Sequence, residues 1–383
     1  MLELAAIRNQ GLYRVRRKLQ SAQGPRIFWR NREFVNFSSN DYLNLAGDPR
    51  MAKAAAGAAR RYGVGAGASP LVSGYLPPVR HLERALAAWE GTQAALVFSS
   101  GFAANVGVVS ALAGPEDVIF SDALNHASLI DGCRLSSAQV QVYRHLDIAH
   151  LEDLLIRHGP AARRRIIVTD SVFSMDGDWA PLAEILDLAQ SHDAQILVDE
   201  AHATGVLGEH GRGLTELLLG AKCLAHSRLI KIGTLSKALG SQGGFVCGTR
   251  TLIEGLVNRC RTYIYSTGLA PPCAAAARRA LRVVQQEPHR RGHLLALAAA
   301  LRARLQDLGF APMPSPRHIV PVIVGDARAA MELSARLAES GFLVPAIRPP
   351  SVPEGTSRLR ISLTAGHTDQ DVERLAAELR RCY

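Results

Sequence analysis

The sequence has 383 residues, 48% of them hydrophobic, and a formal net charge of +10. That length and apolar content predict a folded protein with room for two or three structural units and exclude a disordered chain. No run approaches the ~20 apolar residues that a bilayer span requires, and the basic excess is spread along the chain without the aromatic interleaving of a nucleic-acid surface.

The opening Met1-Leu2-Glu3-Leu4-Ala5-Ala6 has an early acid and no long apolar core, unlike a signal peptide. Cys133, Cys223, Cys247, Cys260, Cys273 and Cys382 form no Cys-x-x-Cys pair and have no histidine at zinc spacing. They read as free thiols of a cytoplasmic protein with no metal site. The sequence pI of about 9.6 keeps an acidic carrier protein as a possible partner.

Residues 1–35 predict a basic helix, containing the run Arg14-Val15-Arg16-Arg17-Lys18, and then a hairpin over 26–35 that turns at Asn31-Arg32. The following segment, Asn36-Phe37-Ser38-Ser39-Asn40-Asp41-Tyr42-Leu43, is polar and aperiodic. Glycines over 63–74 mark loops with close backbone approach. From 92 to 250, apolar strands at 94–98, 117–120, 165–169, 195–199, 228–233 and 244–247 alternate with helical segments at 102–113, 181–192 and 250–260. This alternation predicts an α/β fold, a mostly parallel sheet with helices on both faces. Residues 274–306 read as one long helix joining two domains. Beyond it, a strand at 319–324, a helix at 327–340 and a strand at 358–364 repeat the pattern on a smaller scale, and the last helix opens with a capping box from Thr368 to Asp371.

Open α/β sheets place ligands at strand ends, and five segments with chemical potential lie there. Ser99-Ser100-Gly101-Phe102-Ala103-Ala104-Asn105 starts a helix after a strand, which suits a phosphate or serves as an ordinary turn. Asn125-His126 offers a ring to stack on a planar ligand, or a structural histidine. Ser171-Val172-Phe173-Ser174-Met175-Asp176-Gly177-Asp178 lines a pocket or forms a plain loop. Asp199-Glu200-Ala201-His202 places a carboxylate at a strand tip, where a protonated pyridine nitrogen would partner it or where it caps a helix.

The fifth segment is Gly233-Thr234-Leu235-Ser236-Lys237. A lysine after a buried strand, flanked by hydroxyls and glycines, suits a Schiff base, though it also fits an ordinary helix-start lysine. The chain has only five lysines. Thr234 adds a hydroxyl for the phosphate.

This ordered set resembles the fold-type I pyridoxal phosphate enzymes. Over nearly the whole chain, the stretches 36–43, 100–105, 172–178 and 199–205 are similar to those of the α-oxoamine synthases. The segment Ile347-Arg348-Pro349-Pro350 points to their biotin-forming branch. Two departures stand out: Val79 occupies a place where relatives commonly carry histidine, the nearest being His81, and Ser351 replaces a common threonine.

The resemblance implies a fold-type I transferase with a smaller α/β C-terminal domain, divided at 1–47, 48–275 and 276–383, the first segment packing with the last. It implies pyridoxal 5′-phosphate held covalently by Lys237, with Asp199 on the ring nitrogen, His202 on the phenolic oxygen, His126 stacked on the ring and Ser174 near the phenolic oxygen and the substrate carboxylate. Gly101, Phe102 and Thr234 would take the phosphate, and Ser266 and Thr267 the phosphate of a neighbouring subunit in a homodimer. Arg360 and Asn40 would hold an amino-acid carboxylate, and Arg14 (or the nearby Arg16) and Ser351 the acyl substrate. The implied reaction is decarboxylative condensation of L-alanine with a pimeloyl thioester of CoA or acyl carrier protein. A sister synthase using glycine or serine is the alternative.

Overall fold

The computed structural model describes residues 4, 7, 8, 12–220, 228–310 and 318–383. Its strands are β1 (Arg26–Trp29), β2 (Arg32–Asn36), β3 (Ala94–Phe98), β4 (Val118–Asp122), β5 (Gln139–Tyr143), β6 (Arg165–Asp170), β7 (Ala194–Asp199), β8 (Leu229–Thr234), β9 (Gly244–Gly248), β10 (Ile319–Gly325), β11 (Phe342–Leu343), β12 (Ala346–Ile347) and β13 (Ser357–Ser362). The chain divides into two compact units: residues 48–173 with 179–288, and residues 1–47 with 174–178 and 289–383.

The larger unit is built on a seven-stranded sheet in the order β3-β9-β8-β7-β6-β4-β5. Strands β4 to β8 pair in parallel, and β9 runs antiparallel to both β3 and β8. Parallel neighbours need crossovers, supplied here by helices such as Ala127–Leu135, Ile148–His158 and Leu182–Ser191. Strands covered on both faces read as continuous apolar runs. Accordingly Ile119, Ile166, Val168, Leu197, Ile230 and Val246 pack with Val108 and Leu112 of helix Gly101–Leu112 in one buried core. Because β4, β6, β7 and β8 are parallel, their C-terminal ends share one edge of the sheet.

The smaller unit contains two three-stranded sheets, β10-β13-β12 and β1-β2-β11. In the second, the short strand β11 adds in parallel to β2, so the amino-terminal hairpin belongs to the same unit as the C-terminal elements. The capping box of helix Asp369–Cys382 is formed, with Thr368 and Asp371 each accepting the other's backbone amide.

Several expectations are corrected. The hairpin turns at Arg30-Asn31, both with positive φ (52° and 57°), and Arg32 already pairs with Trp29; a two-residue turn of this hand matches the twist of the strands. Residues 12–19 form no helix, and most of 1–11 lies outside the described residues. The predicted long helix over 274–306 is two helices, Pro271–Gln286 and His289–Asp307, broken at Glu287-Pro288. Proline disfavours helical backbone at the residue before it. The first of these helices packs on Pro49–Tyr62 and Pro77–Glu90, which moves the unit boundary from 275/276 to 288/289. Strand β5, not anticipated, completes one sheet edge. Among the described residues, no helix is long and apolar enough to cross a membrane, and no cluster of metal-ligating side chains occurs.

Candidate active site

At the C-terminal edge of the large sheet lies a cleft of about 270 Å³, lined among others by Gly101, Phe102, His126, Asp199, His202, Thr234 and Lys237. Each element delivers its residue for a local reason. Helix Gly101–Leu112 begins directly after β3 and is capped by Ser100, whose Oγ accepts the amide of Ala103 at 3.0 Å. The amides of Gly101 and Phe102 in its first turn remain open, as at any helix start, and favour an anion. A Cβ at Gly101 would come within 3.2 Å of Thr234 Oγ1, and one at Gly244 within 2.6 Å of Gly101 Cα. Glycine at both positions lets β9, the helix start and the end of β8 close around this corner.

Asp199 ends β7 and is buried. Its Oδ1 accepts the amide of Ala201 at 2.8 Å and its Oδ2 accepts Asn105 Nδ2 at 2.6 Å. Asn105 Nδ2 also donates to Ser128 Oγ at 2.9 Å. Ser128 Oγ lies 2.6 Å from His126 Nδ1, which further accepts the Ser128 amide at 3.2 Å. An Nδ1 that accepts leaves the ring proton on Nε2. The main chain of His126 is fixed by its amide donating to Asp170 Oδ2 at 2.6 Å. A hydrogen-bonded line thus runs from Asp199 through Asn105 and Ser128 to His126.

Desolvation in the cleft lowers the His126 pKa from the ordinary histidine value, reinforced by the nearby positive charge of Lys237 and opposed by Asp199. Asp170 is driven well above the usual carboxylate range, first by burial and then by the neighbouring Asp199 charge. Burial beside that charge pushes Asp170 toward its neutral form.

Lys237 follows β8 in a turn, not at a helix start. Its Nζ lies 2.8 Å from His202 Nε2. The other lysine of this stretch is already committed: Lys231 Nζ pairs with Glu90 at 2.7 Å, and both side chains are buried. Glu200 is likewise structural, accepting the amides of Leu214 and Thr215 at 3.0 and 2.8 Å.

The residues present fit pyridoxal phosphate. Asp199 is a buried carboxylate that would suit a cationic ring nitrogen. Lys237 supplies the amine. The open amides of Gly101 and Phe102, beside the hydroxyls of Thr234 and Ser236, supply a phosphate seat; those hydroxyls lie 2.8 Å apart.

The other predicted positions are placed as follows. Ser266 and Thr267 do not line this cleft; they lie between helices Arg261–Ile264 and Pro271–Gln286. In the smaller unit, the buried Arg360 donates from Nε to the carbonyl of Ser174 at 2.5 Å and from Nη1 to Asn40 Oδ1 at 3.2 Å and Ser362 Oγ at 2.7 Å. Three residues assigned to substrate or cofactor from the sequence therefore meet in one cluster. Arg14 Nη2 reaches Ser351 Oγ at 3.5 Å; Arg16 makes no such contact. Val79 is buried, whereas His81 is exposed. The sequence reading missed Asn105, Ser128, Asp170 and Ser236. Asn105 had a signal: a carboxamide four residues after Gly101 in an otherwise apolar helix needs a buried partner.

Residues 32–379 match the family model of class I and II aminotransferases. The chain is 51% identical over 377 residues to the 8-amino-7-oxononanoate synthase of Anaeromyxobacter dehalogenans, covering 98% of this chain and 93% of the relative. It is 48% identical over 381 residues to that of Geobacter sulfurreducens, covering 99% and 96%. Among solved structures, serine palmitoyltransferase from S. paucimobilis with bound PLP-myriocin aldimine superposes with a TM-score of 0.93 at 30% identity, covering 100% of this chain and 96% of that one. The 8-amino-7-oxononanoate synthase of Francisella tularensis gives 0.77 at 28% identity, covering 91% and 97%. The chain belongs to the 8-amino-7-oxononanoate synthases, pyridoxal-phosphate-dependent enzymes within the class I and II aminotransferase family.

Proposed function

We propose that the chain condenses L-alanine with a pimeloyl thioester, carried by CoA or acyl carrier protein, to give 8-amino-7-oxononanoate, CO2 and the free thiol. The reading places this step of biotin biosynthesis in the cytoplasm, carried out by a homodimer. It is carried by one observation: the Lys237–Asp199–His126 cleft in a chain about half identical, over nearly its full length, to enzymes of that name.

Pyridoxal phosphate, when bound, draws electrons away from the substrate α-carbon, first as a proton leaves and then as CO2 leaves. Everything else falls to the side chains. Lys237 is the covalent anchor and, once displaced by the substrate amine, the base that takes the α-proton and later returns one. Asp199, held by Asn105 and the Ala201 amide, keeps the ring nitrogen protonated. His202 bonds the phenolic oxygen and lies within reach of Lys237 Nζ. His126 stacks on the ring and donates from Nε2 to the thioester carbonyl, where negative charge develops during attack. Gly101, Phe102 and Thr234 hold the phosphate, and Ser266 and Thr267 complete that seat in the neighbouring subunit.

Arg360 and Asn40 grip the alanine carboxylate until it departs, with Ser174 beside them; the planar guanidinium suits a bidentate hold. Arg14 and Ser351 contact the acyl substrate. The test is competition of L-alanine, glycine and L-serine against one pimeloyl thioester, with products identified by mass spectrometry. Alanine should be preferred; preference for glycine or serine would move the chain to a sister synthase.

A further inference from the structure

A second concavity in the larger unit lies away from the catalytic cleft. It is a groove of about 380 Å³ where helices Pro49–Tyr62, Pro77–Glu90 and Pro271–Gln286 meet. Its floor is made of small residues, Ala54, Gly57 and Ala58, and a Cβ at Gly57 would meet nothing within 4 Å. Its walls carry Arg61, Arg278, Arg279, Arg282 and His81, and no carboxylate lines it. Tyr62 adds an aromatic wall, with the Arg61 guanidinium 5.3 Å from its ring centre.

Helices Pro49–Tyr62 and Pro271–Gln286 show what a satisfied arginine looks like. At their other end, Arg50 is held by Asp48 and by Glu287. Arg61, Arg278, Arg279 and Arg282 have no hydrogen bond or ion pair to any described residue. Arg61 lies in the last turn of its helix, where a cation complements the helix dipole. Arg278, Arg279 and Arg282 sit within a helix and gain nothing of that kind. Bringing several like charges together around one hollow costs energy unless an anion joins them. Guanidinium forks match phosphate oxygens in pairs, and the hollow is far larger than an inorganic phosphate needs.

We propose that this groove binds the phosphate-bearing end of a nucleotide, with Arg61, Arg278, Arg279 and Arg282 on the phosphates and Tyr62 beside the base or sugar. The groove shares no lining residue with the catalytic cleft. Its ligand has two possible sources with the same chemistry, the nucleotide end of a CoA thioester or a free nucleotide.

The experiment is calorimetric titration of the cofactor-loaded protein at low salt with adenosine 3′,5′-bisphosphate, with ATP, and with inorganic tripolyphosphate as control. The bisphosphate lacks the pantetheine arm, so it reports the groove and not the acyl site. Saturable nucleotide binding is expected, weakened about tenfold or more in Arg278→Gln/Arg282→Gln, as loss of charge-assisted bonds requires. Gly57→Phe, which fills the floor and keeps every charge, should weaken it as well. Tighter binding of the bisphosphate identifies CoA as the source, and tighter binding of ATP identifies a free nucleotide. No saturable binding, binding that survives both variants, or tripolyphosphate binding as tightly as the nucleotides would overturn the proposal.

Discussion

Asn105 donates to the Asp199 carboxylate at 2.6 Å while the same amide nitrogen donates to Ser128 Oγ at 2.9 Å. One buried side chain thus sets the position of Asp199 and, through Ser128, the tautomer of His126. Removing it should lower kcat without preventing cofactor binding. Asn105→Ala is expected to lose about 10- to 100-fold in kcat, the worth of one hydrogen bond to a charged group. The check is steady-state kinetics alongside the visible absorbance of the bound cofactor; unchanged kcat would remove Asn105 from the account.

The two lysines of the β8 segment should separate cleanly. Lys237→Ala is expected to abolish trapping of the cofactor by borohydride and leave the fold intact. Lys231→Ala strands the buried Glu90, whose pKa burial already raises to about 7. Breaking a buried pair costs about 3–5 kcal/mol. Denaturant midpoints and borohydride trapping on both variants make the comparison: trapping should survive in Lys231→Ala and stability in Lys237→Ala.

Arg360→Lys keeps the charge but loses the planar fork that bonds Ser174, Asn40 and Ser362. The expected result is a KM for the amino acid raised about tenfold or more, with a smaller change in the KM for the thioester. Equal effects on both substrates would argue against a carboxylate grip.

Stability should fall in acid through His367. Burial pushes its pKa down to about 4, its Nδ1 accepts the amide of Thr364 at 3.0 Å, and its ring stacks on Phe37 at 4.3 Å. The unfolded chain binds this proton near pH 6.5 and the folded chain only near 4, so the contribution is intact above 6.5 and lost as pH falls toward 4. The loss amounts to about 3 kcal/mol. Urea midpoints measured from pH 7 to 4 should show this decline, flattened in His367→Gln.

Much of this was legible in the sequence, for physical reasons. Strands such as β6 and β7 are buried on both faces and read as plain apolar runs. Strand β5 lies at a sheet edge with only Tyr143 buried, so it lacks the continuous apolar run that marks its neighbours. The break at Pro288 was visible in principle, but the apolar, alanine-rich runs on either side masked it. Lys237, Asp199, His202 and His126 were readable because each follows a strand, and parallel topology gathers strand ends. Ser128 and Asp170 were not, because their roles depend on contacts made across neighbouring strands and helices, which sequence spacing does not encode. The meeting of Arg360 with Asn40, 320 positions away, became intelligible only through the family resemblance.

Carboxyl-labelled L-alanine distinguishes decarboxylative condensation from every alternative reaction of the cleft. With 13C at the carboxyl carbon and a pimeloyl thioester, the label should leave as CO2, one for each free thiol released, and the amino-ketone product should carry none. Label retained in pyruvate without thiol release would mean transamination and would contradict the account.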